Sequence, residues 1–144
     1  MGKRLYLSFL LSVLIGFSTL LIPIARASTN LRAEVRVAAI HAGLAVEMHV
    51  LSLTQLHLHH VINCLVGPNG RQFDPRAGNP CHGLGNGAIP DSRMSVPAVR
   101  SALQQALHDA LTGERVMNLV QAHHLAIAAR KSLLQAAQAL RSHH

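Results

Sequence analysis

The chain contains no tryptophan, one tyrosine and three phenylalanines. Tyr6, Phe9 and Phe17 fall in its first segment, so beyond that segment Phe73 is the only aromatic residue. Pockets that stack a ligand on rings are disfavoured. A core must come from Leu, Val, Ile and Ala, a composition suited to closely packed helices. Acidic residues are also scarce, six against thirteen Lys and Arg, which leaves few carboxylates near any metal site. Only Cys64 and Cys81 represent cysteine, and no C-x-x-C occurs, so a thioredoxin-like site lacks support. The absence of C-x-x-C-H removes covalent haem attachment. "NPCHG" offers only the adjacent pair Cys81-His82, and haem is not expected. Neither G-x-S-x-G nor H-E-x-x-H appears. The glycine-rich "CHGLGNG" follows no strand and lacks the Lys-Ser/Thr of a phosphate loop. Nothing here supports an enzyme.

What is present begins with a leader. Lys3 and Arg4 precede an apolar stretch from Leu5 to Ile24, followed by Ala25-Arg26-Ala27, a small-x-small cleavage site. Residues 1–27 therefore read as a secretory signal peptide, and residues 28–144 as one α-helical domain, periplasmic or extracellular. The apolar stretch is twenty residues long, enough to span a bilayer, so an uncleaved anchor is the rival reading. Membrane association is expected only in that case. Cleavage removes three basic residues and lowers the net charge from +7 to +4. The remaining basic residues are scattered, with no run beyond Arg130-Lys131. That pattern reads as solvated surface, and no nucleic-acid partner is expected.

The mature segment predicts a bundle or hairpin of about three helices. The first spans 29–63, opening at Ser28-Thr29-Asn30, which have good N-cap chemistry, and meeting no proline on the way. Ala33, Val37, Ile40, Leu44, Met48, Leu51, Leu58 and Ile62 keep to one face of a 3.6-residue period. Gln55 falls in this stripe and needs a hydrogen-bond partner if buried. Val46, His49, Leu53, His57, His60 and Cys64 follow the opposite face, so the helix is central in a bundle or forms a homodimer seam. Residues 64–95 are rich in Gly and Pro and read as a long loop. Helices over 96–112 and 114–141 follow, the former with Pro97 in its first turn and Gly113 as its stop.

Two constellations carry chemistry. Cys64 and Cys81, in an exported chain, are expected to form a disulfide bracing the loop. His57 and His60 lie one helical turn apart, with Cys64 a turn further, and His49 extends the face. His123 supplies a candidate ligand from the last helix, as in bundle-core metal sites. Imidazole is the commonest protein metal ligand, and the ions that suit it are Zn²⁺, Cu and Ni²⁺. The expected function is binding of a transition-metal ion for sensing, buffering or delivery. The alternative is a non-enzymatic partner-binding or structural module, in which the braced loop presents Phe73, Leu84 and Ile89 to another protein.

Overall fold

The computed structural model describes residues 30–142; the expected leader lies outside the described residues. All regular structure described is helical. Four long helices, α1 (Leu31–Glu47), α2 (Leu51–Val66), α4 (Pro97–Arg115) and α5 (Leu119–Ser142), are joined by two short turns and one long segment. That segment holds α3 (Ala88–Asp91) and two short 3₁₀ turns, Pro75–Ala77 and Ser92–Met94. No helix among the described residues is long and apolar enough to cross a membrane.

The helix expected over 29–63 is two helices. Met48 and Val50 take extended backbone angles, with ψ of 136° and 128°, and the chain turns back between them. No Gly or Pro marks the break. Tertiary bonds hold it instead: His123 donates to the Met48 carbonyl at 2.8 Å, and Gln55 donates to the Glu114 and Val116 carbonyls at 2.9 and 3.0 Å. Gln55 thereby caps the end of α4. An unbroken helix from 31 to 66 would be about 54 Å long, far beyond what a domain of this size can cover. Folded back, α1 lays its small residues on its neighbours.

Cross-helix bonds give the topology. Arg32 at the start of α1 donates to Leu140 at the end of α5, and the start of α2 meets the end of α4 through Gln55. Each helix therefore runs antiparallel to those beside it, in the cyclic order α1, α2, α4, α5, an up-down-up-down bundle. The buried face of α1 is Val35, Ala38, Ala42 and Ala45 rather than the larger residues of the expected stripe; Ile40 is 55% exposed. On α5 the buried apolar residues are Ala122, Ala126, Ala129, Leu133 and Ala136, with Ile127 and Leu134 about half exposed. On α4 Val99, Leu103, Ala106 and Ala110 are buried and Ala102 is half-buried. Gly113 does not stop α4. It lies where a Cβ would fall 2.8 Å from Leu58 and 3.0 Å from Leu125, so it serves close packing on α2 and α5. The helix continues to Arg115.

The segment after α2 is tied down. Cys64 and Cys81 form a disulfide, with Cα atoms 5.2 Å apart. The Asn63 side chain donates to the Asp74 and Gly78 carbonyls and accepts from the Asp74 amide. Gly67 and Gly87, both at positive φ, cross backbone to backbone; a Cβ on Gly67 would collide with the Asn86 carbonyl. Phe73, Leu84 and Ile89 are half-buried and pack against the core, so much of the apolar surface expected for a partner is already used.

Glu34 links this segment to α1. It is 1% exposed, and its Oε1 accepts the Gly87 amide at 2.9 Å. Its Oε2 has no hydrogen-bond partner. Burial, reinforced by the nearby Asp91 carboxylate and only partly offset by the Gly87 bond, pushes its pKa up to about 7. The folded state then holds a proton on Glu34 between pH 4.5 and 7 that the unfolded chain has released. Stability from this group is complete below pH 4.5 and is lost as pH rises through 7. Glu34→Gln, which mimics the neutral acid, should raise stability at pH 8 by about 2 kcal/mol and leave it little changed at pH 4.5. Chemical denaturation at the two pH values checks this.

Candidate metal centre

Three histidines meet between α1 and α2. His41 comes from the middle of α1, and His57 and His60 from the facing side of α2. His41 Nδ1 lies 3.1 Å from His57 Nδ1 and 3.2 Å from His60 Nδ1. One ligand nitrogen from each ring lies within 4.8 Å of the other two, and all three residues are half-buried. The His60 ring stands edge-on to the other two, which brings nitrogens rather than ring faces together.

The hairpin creates this meeting. His41 and His57 are each eight residues from His49, which sits in the turn. On a continuous helix they would be about 24 Å apart along the axis. Folding back at His49 places them opposite each other, and His60 follows one turn further along α2.

The protonation pattern suits a cation. The Ala77 carbonyl can only accept, so His60 Nε2, 2.7 Å away, carries the proton and donates it. With its one proton on Nε2, the neutral tautomer of His60 presents the Nδ1 lone pair toward His41. This is the outer-shell bond that usually orients a metal-bound imidazole. His41 Nδ1 faces two nitrogens at once, and a single proton there can make only one well-directed bond. A cation among the three would engage all three lone pairs. Zn–N bonds of about 2.0–2.1 Å in a tetrahedron place adjacent nitrogens about 3.3–3.4 Å apart, close to the two short separations seen.

Electrostatics agree. Burial, with the adjacent charges of His60 and His57, pushes the His41 pKa down to about 4. Burial and then His60 lower that of His57. Both rings are therefore neutral at pH 7, the state that ligates metal. For stability, His41 acts oppositely to Glu34: its contribution is present above pH 6.5 and is lost as pH falls through 4.

Of the residues singled out in the sequence, His57 and His60 are in this cluster. Cys64 is in the disulfide and is not a thiolate. His49 lies exposed in the α1–α2 turn, and His123 spends its Nε2 on the Met48 carbonyl. Neither belongs to the group of three. His59 points elsewhere, its Nδ1 donating to Glu114 on α4 at 3.1 Å. His41 was not among the sequence candidates, because it lies on neither face of the supposed single helix. Its equal spacing with His57 about His49 was the available signal.

Comparison with protein families, with curated proteins and with solved structures returns no match to the chain.

Proposed function

We propose that the protein binds one transition-metal ion through His41, His57 and His60, and that it buffers, senses or delivers that ion in an oxidising compartment outside the cytoplasm. The observation that carries this reading is the convergence of the three imidazole nitrogens, with His60 Nε2 already committed to a carbonyl. Three imidazoles and no carboxylate suit Zn²⁺, Cu or Ni²⁺. Three protein ligands leave room for a fourth from solvent or from another molecule, whereas structural zinc sites are closed by four. An open site favours exchange over permanent retention. The disulfide is compatible with an oxidising, exported location.

The test is calorimetric titration of chelator-treated protein with Zn²⁺, Ni²⁺ and Cu²⁺. One ion per chain is expected for at least one metal, and the stoichiometric event should vanish in His57→Ala/His60→Ala. Unchanged affinity in the double variant, with its helical content intact, would overturn the reading.

A further inference from the structure

On the far side of α1 from the histidines, a groove runs between α1 and α5, with a volume of about 580 Å³, within the size range of small-molecule sites. Its floor is apolar and open to solvent: Ile40 is 55% and Leu134 52% exposed, with Ala137 and Leu140 beside them. Its rim is cationic, and no acidic residue lines it. Among the described residues no carboxylate pairs with any of the rim arginines.

The cations are unevenly placed. The antiparallel register sets Arg32 beside Leu140, to whose carbonyl it donates at 2.7 Å. Arg141 follows Leu140, and Arg36 lies one turn further along α1. These three gather at one end of the groove. Arg130 lies at the other end with its side chain across Gly43, where a Cβ would meet its Nε at 3.5 Å. From Arg32 to Gly43 is roughly 16 Å along the helix axis, the reach of an extended laurate. Three positive charges at one end against one, Arg130, at the other, with an apolar trough between, match a molecule with an anionic head and a single tail. The concave floor suits a chain lying in it better than a flat bilayer surface.

We propose that the α1–α5 groove binds a single-chain anionic amphiphile, a fatty carboxylate, with its head among Arg32, Arg36 and Arg141 and its tail along Ile40 and Leu134. Carboxylates take two parallel N–H bonds from a guanidinium, and the tail covers apolar surface that the bundle leaves exposed. This site is independent of the metal centre.

The test is titration of the full chain with laurate below its micelle threshold. Octanoate serves as the short-tail probe, and dodecyltrimethylammonium carries the same tail with a cationic head. Saturable one-to-one laurate binding is expected, with octanoate weaker and the cation not bound. Arg36→Gln/Arg141→Gln should weaken laurate by about tenfold or more, since hydrogen bonds to a charged group are lost. Leu134→Asp should abolish binding. All three positions are exposed, so folding is preserved and is checked by circular dichroism. The proposal is overturned if laurate does not saturate, if the cationic probe binds equally, or if the variants bind as the wild type does. It is also overturned if vesicles of phosphatidylglycerol bind while monomeric laurate does not, because the face would then be a membrane contact.

Discussion

Replacing His41 with alanine is expected to weaken binding of the preferred ion by at least about 100-fold, while His59→Ala leaves it unchanged. His41 is the centre of the cluster, within 3.2 Å of a nitrogen on each of the other two rings. Loss of an outer-shell partner alone typically costs 10–100-fold in metal affinity, and loss of a direct ligand should cost no less. His59 sits on the same helix between His57 and His60 but turns to Glu114, so it controls for histidine content and for nonspecific metal uptake. His49→Ala should likewise leave stoichiometric binding in place, whereas His123→Ala, which removes a bond to the α1–α2 turn but no ligand, should weaken it less than His41→Ala does. Competition against a chromogenic chelator measures all four variants on one scale. Equal loss in His41→Ala and His59→Ala would mean that binding follows the number of imidazoles rather than their arrangement.

The second large effect concerns the disulfide. Cys64→Ala/Cys81→Ala should lower stability by about 3 kcal/mol, the chain-entropy value for a loop of this length, and the melting midpoint by roughly 10–20 °C. Metal affinity should fall with it, by about 10–100-fold. The route is short. Cys64 lies one turn beyond His60 on α2, Cys81 lies four residues beyond Ala77, and the Ala77 carbonyl receives the His60 proton. Freeing Cys81 lets that carbonyl drift and lets His60 Nδ1 take the proton instead. Reduction of the wild-type protein with dithiothreitol should reproduce the affinity loss. If affinity survives both treatments, the Asn63 bonds to Asp74 and Gly78 are enough to hold the segment, and the disulfide serves stability alone.

Much of the architecture was legible in the sequence, and the reasons can be given residue by residue. Helical class followed from periodicity and from the near absence of aromatics. The Cys64–Cys81 pairing followed from there being only two cysteines in an exported reading. The break at Met48 to Val50 did not, because no Gly or Pro encodes it; hydrogen bonds from Gln55 and His123, distant in sequence, maintain it. That omission hid His41, whose partners are on its own helix only if the helix is bent double. The α1 stripe was misplaced because size was weighted over packing: Ile40 and Leu44 drew attention, whereas Ala38 and Ala42 are the residues that meet a neighbour. Two of the three residues of the candidate centre, His57 and His60, were visible from spacing within one turn. The third, His41, required tertiary structure.

The alanines have a consequence for reach. An imidazole that coordinates through Nδ1 projects little beyond its Cβ, so two such rings on facing helices touch only if the backbones approach closely. Ala38, Ala42 and Ala45 are fully buried along α1, and methyl side chains there act as thin shims between the helices. Leucine at Ala38 or Ala42 would pry the seam apart and pull His41 away from its partners without altering any ligand. The dimension of the candidate centre is thus set by residues that hold no lone pair and touch no ion.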